Sequence, residues 1–386
     1  MLPPRDPVAA VTHPDPYPYY AEMLRRRPFH RDEALGLWVA ASAETATAAL
    51  ASPAGRVRPP AEPVPLALLG GAAGEIFARL VRMTDGDAQA RAKRAIVATL
   101  ASVMPEAVAA EAPRWAGALT DGAARDPAGL DALIFALPMH VVGSLLGFAP
   151  AQLPDVAERM RAFVAAIAPG SSPEAVERGS AAAAGMVTLT QDLIDTPDGG
   201  LARRLHEAAE REDGVDPAAV TANAVGFLSQ THDATAGLLG NAILALGARP
   251  ELRRRAAADR TLLPGLVQEV LRFDPPAQNT RRFLAEDARI AGHGLRAGDT
   301  VLVLVAAANR DPAFNPDPDR FDPDRIDRRM LTFGHGRHAC PENGIAAAIA
   351  VAGLDALLER IPEAAWPDEA VGYRPSAARI PLFAKS

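Results

Sequence analysis

The chain contains a single cysteine, Cys340, at the end of Leu331-Thr332-Phe333-Gly334-His335-Gly336-Arg337-His338-Ala339-Cys340 and just before an Ala-rich segment of helical composition. One cysteine cannot close an internal disulfide, so its chemistry is that of a small packed residue, a nucleophile or a metal ligand. A second group stands upstream. Asn223 to Leu246 reads as one long, mostly apolar helix, yet it carries Gln230, Thr231, His232, Asp233 and Thr235. Amides and charges are costly to bury unpaired, so this cluster implies a wet cavity or a hydrogen-bond network along the helix. A third group is Glu269 and Arg272, an acid and a base three residues apart and hence on one helical face. At that spacing alone such a pair is usually a surface contact of small consequence.

These residues need a scaffold, and its elements are readable from spacing. Tyr17, Tyr20, Met23 and Leu24 recur at helical intervals between Pro16 and Arg27. Leu35 to Ala41 reads as a short strand, and Ser42 as the N-cap of a helix reaching Ala51. After the Pro-rich loop Arg56 to Pro65, Gly74 to Val103 reads as helix. Another helix ends near Phe273. Ala288 to Val305 alternates and turns at Gly292-His293-Gly294, the pattern of a small hairpin sheet. A Pro/Asp/Arg-rich coil then runs to Arg329. The fold class expected is mainly α with small β-sheets.

The formal net charge of −7 and a pI near 5.7 argue against nucleic acid as a partner, because phosphate recognition needs a concentrated basic stripe. Apolar runs such as Thr300 to Ala308 fall short of the roughly 20 residues that span a bilayer. The opening MLPPRDPVAAVTHPDP lacks the apolar core of a secretory signal. No membrane anchor is expected, and cytoplasmic residence is.

A thiolate that binds the metal of a flat macrocycle must approach it closely and receive hydrogen bonds from backbone amides, which favours a Gly-containing loop leading into a helix. Phe333, Gly334, Gly336, His338 and Cys340 match Phe-Gly-x-Gly-x-His-x-Cys, and on these residues the chain resembles the cytochrome P450 superfamily, bacterial soluble type. The resemblance implies a single P450 domain over residues 1–386, with haem b (iron protoporphyrin IX) between the long central helix and the Cys-bearing loop. It implies Cys340 as the iron ligand, Phe333 packed on the sulfur side, and His338 and Arg282 on the haem propionates. Where the family usually has His-x-x-x-Arg aimed at the propionates, this chain has Gln89 and Lys93. Glu269 and Arg272 resemble the family's Glu-x-x-Arg pair, completed by Arg320 of Pro318-Asp319-Arg320-Phe321 into a structural trio. One position departs: Glu342 stands where the family usually has Gly.

The family's central helix normally presents an acid followed by an alcohol, which deliver protons. Here Asp233 supplies the acid, but Ala234 occupies the alcohol position and Gln230 replaces a small residue one turn earlier. Thr235 lies about 100° further round and substitutes only if the helix kinks. The resemblance implies oxidation of a small organic molecule, in secondary metabolism, with dioxygen and electrons from an external ferredoxin and its NAD(P)H-dependent reductase. An atypical outcome, oxidative coupling, rearrangement or peroxide-driven oxidation, is the alternative that Ala234 raises. Arg337, Arg91 and Arg94 are the basic residues expected to steer an acidic ferredoxin. The loops Arg56 to Leu69 and Gly147 to Gly185 are expected to line the substrate pocket, whose ligand no motif names.

Overall fold

The computed structural model describes residues 2–123 and 126–385. Its helices are α1 (Tyr17–Arg26), α2 (Ala43–Ala51), α3 (Ala72–Arg79), α4 (Gly86–Ala123), α5 (Pro127–Leu146), α6 (Leu153–Ile167) and α7 (Pro173–Asp195). They continue with α8 (Gly200–Glu210), α9 (Pro217–Gly247), α10 (Pro250–Ala258), α11 (Leu262–Phe273), α12 (Val305–Asn309) and α13 (Asn343–Arg360). Local signals explain several starts. Ser42 accepts the Thr45 amide at the head of α2, and Asp126 accepts the Gly129 amide ahead of Pro127 in α5.

The central helix α9 starts at Pro217, earlier than the apolar pattern indicates, because Asp216 caps it through the Ala218 amide. Its 31 residues span roughly 46 Å at 1.5 Å per residue, and nearly all are buried, as expected for a helix surrounded by others. Asn223 on this helix also explains why Gly74 to Val103 is not one continuous helix. Its amide oxygen takes the Val81 N–H at 2.8 Å and its nitrogen donates to the Arg79 carbonyl at 2.9 Å. This long-range cap ends α3, and a short 3₁₀ turn at Val81–Met83 precedes α4.

The strands are β1 (Phe29–Asp32), β2 (Leu37–Ala40), β3 (Gly55–Arg56), β4 (Thr280–Leu284), β5 (Ala288–Ile290), β6 (His293–Leu295), β7 (Thr300–Val303), β8 (Gly372–Tyr373) and β9 (Pro381–Leu382). The largest sheet has the order β1-β2-β7-β4-β3. The stretch Ala288 to Val305 therefore divides. β5 and β6 form the expected hairpin around Ala291 and Gly292, both at positive φ, whereas β7 leaves it to lie parallel to β2 and antiparallel to β4. Val301, Leu302 and Val303 are each fully buried, which suits an interior strand covered on both faces.

One apolar core joins α3 to α9, α11 and α13, and smaller clusters lie under the sheet and beside the N-terminal helix. Among the described residues one helix, α5, is long and apolar enough to cross a membrane, a stretch the sequence reading passed over. It is mostly buried in this core against α4, α6 and α9, which accounts for its composition. Near the C-terminus Arg379 donates to the carbonyls of Val11, His13 and Pro14, fastening the entry segment to the end of the chain.

Candidate active site

The loop before α13 is shaped by two glycines. Gly334 and Gly336 sit at φ +74° and +65°, where a side chain would be strained, and the Cys340 amide closes the turn on the Phe333 carbonyl at 2.7 Å. Phe333 packs against the main core. Cys340 is exposed by area, and the Glu342 amide donates to its sulfur at 3.4 Å. Although open by surface area, the sulfur is crowded by surrounding protein, and this desolvation, followed by the Glu342 charge, pushes the thiol up to about 11 against the opposing pull of that amide and of Lys93.

Cations surround this loop. Lys93 Nζ donates to the carbonyls of Arg337 and Ala339 at 2.6 and 2.7 Å, and Gln89 reaches the Arg337 carbonyl at 3.3 Å. Both residues thus brace the backbone of the cysteine loop. His338 Nε2 shares a hydrogen bond with Asp85 Oδ1 at 2.8 Å. Burial opposes ionisation of Asp85, but His338, the Val57 amide and the nearby Arg337 outweigh it and hold the carboxyl below its usual range. Arg282 is 4% exposed, its Nε has no partner, and burial followed by repulsion from Arg337 lowers it to about 10.

Arg82 is of the same kind: its Nε is buried without a partner, and burial brings it to about 10 against the attraction of Glu342. The sequence reading missed Arg82, which belongs to no motif and is placed only by the turn that Asn223 creates. Two of the arginines expected to steer a ferredoxin already have partners in the protein. Arg94 is paired with Glu212 at 2.8 Å, and Arg337 turns inward to the carbonyls of Ser52 and Gly55.

On α9 the helix is unbroken from Gln230 to Thr235, so Thr235 does not take the place of Ala234. The Thr235 hydroxyl is buried and has no partner. Gln230 donates Nε2 to the Gly226 carbonyl at 3.0 Å, leaving its Oε1 as the free polar atom. His232 Nδ1 lies 2.8 Å from Asp233 Oδ1, while Ser376 donates to Asp233 Oδ2 at 2.7 Å. Burial raises the Asp233 carboxyl, but these two bonds and the charges of His232 and Arg374 more than compensate, and it is held low.

Below the loop Glu269 and Arg272 are fully buried and bonded twice, at 3.1 and 2.7 Å. Arg272 donates onward to the carbonyls of Pro318 and Arg320. The expected trio is corrected here. The Arg320 side chain is 69% exposed and pairs with Asp322, because its turn presents backbone to α11; Arg328 instead meets Glu269 at 2.9 Å. An arginine in a coil cannot be assigned to a distant carboxylate by spacing.

Comparison with known proteins resolves the family. Residues 205–361 match the family model described as Cytochrome P450. Cytochrome P450 monooxygenase PikC of Streptomyces venezuelae is 30% identical over 375 residues, covering 93% of this chain and 88% of that protein. The chain belongs to the cytochrome P450 superfamily. Mycinamicin IV hydroxylase/epoxidase of Micromonospora griseorubida is 31% identical to this P450 over 72% of it and 71% of the relative. The crystal structure of CalO2 superposes with a TM-score of 0.77 at 28% identity, covering 90% and 88% of the two chains. The P450 is accordingly an oxidoreductase with the mainly helical fold of that family.

The donor set around Cys340 fits haem. A single thiol faces a neighbourhood in which Arg82 and Arg282 each bury an Nε without an acceptor, a shortage that carboxylate-bearing macrocycles relieve. One contact competes. Glu342, pushed up to about 8 chiefly by burial against the pull of Arg82 and the Thr231 hydroxyl, lies between the cysteine loop and α9, while that hydroxyl donates to the Phe227 carbonyl at 2.7 Å. A macrocycle in contact on both faces needs roughly 7 Å between facing atoms, so a side chain bridging that space must turn aside. Glu342→Gly is therefore expected to raise the Soret-to-protein absorbance ratio of the purified P450, and Glu342→Gln to leave it near wild type. Equal ratios in all three proteins would show that the bridge lies clear of the macrocycle.

Proposed function

We propose that this P450 inserts oxygen into a small organic molecule of secondary metabolism, using dioxygen and electrons passed from NAD(P)H through a separate reductase and ferredoxin. The observation that carries this reading is the accessible Cys340 thiol set among buried arginines that lack acid partners. Its relatives include macrolide-tailoring P450s, which supports a substrate of natural-product type. Residence in the cytoplasm belongs to the same reading, since the electrons originate in NAD(P)H.

In this reading Cys340 holds the iron of haem b, His338, Arg282 and Arg82 receive the propionates, and Gln89 and Lys93 hold the cysteine loop in shape. Bound haem supplies dioxygen activation, which a thiolate ligand favours by pushing electron density towards O–O cleavage. The residues of α9 do the rest. Gln230 Oε1 orients a water or a substrate hydroxyl, and the Asp233 carboxylate receives and passes on a proton beside Ala234. Reduction of the purified protein under carbon monoxide, followed by a screen of macrolide-type compounds for a haem spin-state change, tests the reading. Absence of the thiolate band would reject it.

A second reading, an oxidation that avoids the usual proton path, is favoured by Ala234 on an unbroken helix. Gln230→Ala is expected to lower turnover about tenfold, the scale of a lost buried polar contact worth ~1–3 kcal/mol, while haem binding survives. Ala234→Thr should increase product formed per electron consumed in a conventional hydroxylase. A fall in that ratio would favour the second reading.

A further inference from the structure

A groove of about 340 Å³ opens between α5, α6 and the C-terminal segment, and His232 of α9 forms part of its wall. The imidazole lies 5.1 Å from the Phe135 ring, over which the Arg374 guanidinium sits at 4.8 Å. The two ring nitrogens face different tasks. Nδ1 is committed to Asp233 Oδ1 at 2.8 Å, and among the described residues Nε2 makes no hydrogen bond, with the ring lining the groove. Asp233 is in turn fixed by Ser376 and immediately precedes Ala234, where a hydroxyl is missing.

We propose that His232 is the proton inlet of this P450, carrying protons from groove water to Asp233. The inference rests on the monooxygenase reading, in which one oxygen atom enters the substrate and the other leaves as water, taking up two protons with two electrons. Nε2 takes a proton from a hydronium or buffer acid in the groove as the Nδ1–H proton passes to the Asp233 carboxylate. The ring ends neutral, the carboxylate becomes an acid, and the donor becomes water or buffer base. Rotation of the ring restores its starting tautomer. Imidazole suits this task because it can accept at one nitrogen while donating at the other near neutral pH.

The groups around the ring set its response. From α6 come Glu158 and Arg161, paired with each other at 2.5 Å; from the C-terminal segment comes Arg374; and α9 adds Asp233. The part of α5 that lines the groove is uncharged. Arg374, Arg161 and Asp233 thus set charges of both signs beside the ring. His232 is a positioning and relay residue, since it acts through Asp233.

Histidine-¹⁵N NMR of the full-length reduced carbon monoxide complex tests the inlet without turnover. The signal absent from His232→Gln identifies the ring. Its nitrogen-bound proton is expected to exchange with bulk water through the groove, and the exchange rate to change in Asp233→Asn. A ring proton that does not exchange would overturn the proposal. In turnover, His232→Gln keeps an amide donor for Asp233 but cannot relay. It should lose roughly 10²-fold or more in the oxygen-consuming step and flatten its pH profile, on the scale of a removed proton donor. A wild-type rate and solvent deuterium isotope effect in His232→Gln would equally overturn it. The carbon monoxide spectrum separates the two levels: a wild-type chain without the thiolate band would reject the P450 chemistry itself, whereas a normal band with a non-exchanging His232 proton rejects only the inlet.

Discussion

Cys340→His should abolish the red-shifted Soret band of the reduced carbon monoxide complex while leaving a protein that can still bind haem through imidazole. The effect is expected to be complete, because no second thiol exists to replace the first. The surroundings of the sulfur explain how ligation and protonation are linked. Burial and the neighbouring Glu342 push the free thiol up to about 11, so at neutral pH its proton must leave as the metal binds. Proton release on adding haem to the chain, followed with a pH indicator dye, should therefore disappear in Cys340→Ser. A Cys340→His protein with the wild-type spectrum would remove Cys340 from the centre of the site.

Glu269→Ala and Arg272→Ala should both yield little folded, haem-loaded protein. Breaking a buried pair by removing one partner costs about 3–5 kcal/mol, against a total stability of about 5–15 kcal/mol for a typical domain. The cost is raised by what else these side chains hold: Glu269 accepts the Asp322 amide and pairs with Arg328, and Arg272 reaches two carbonyls of the coil. Arg328→Ala should lower the yield in the same direction, whereas Arg320→Ala should have little effect, as its side chain faces solvent. Soluble yield and thermal midpoints of the four variants measure the ranking. If Arg320→Ala proved the more damaging of the two arginine variants, the carbonyl-only role of Arg320 would fall.

The reach of sequence reasoning follows the range of the interactions. Ser42, the alternation of β5 and β6, and the glycines at 334 and 336 act within a few residues, so their patterns are visible in the linear chain. Cys340 was legible for the same reason: its loop is one contiguous motif. Three features depended on contacts between distant segments. Asn223 ends α3 from more than a hundred residues away, as the spacing of its partner Val81 shows. Arg328 displaces Arg320 because the coil between them folds back on α11, and no periodicity constrains a coil. Arg82 enters the site only through the turn that Asn223 imposes. His232 is visible in the sequence only as one polar residue of an apolar helix; what distinguishes it is the groove, which α5, α6 and the C-terminal segment build jointly.

Asn223 has a mechanical meaning as well. By holding both the Arg79 carbonyl and the Val81 amide, it welds the stretch before α4 to the central helix, and Leu80 fits so closely that a Cβ on Gly226 would come within 2.9 Å of it. That wall and α9 therefore travel as one rigid piece. The adjoining stretch from Leu66 to Leu69 is held less evenly: Leu66 and Leu69 are 71% and 60% exposed and Gly70 follows at φ +78°, while Leu68 between them is anchored in the main core. One asparagine therefore fixes this edge of the central helix, and the exposed leucines lie just beyond its grip.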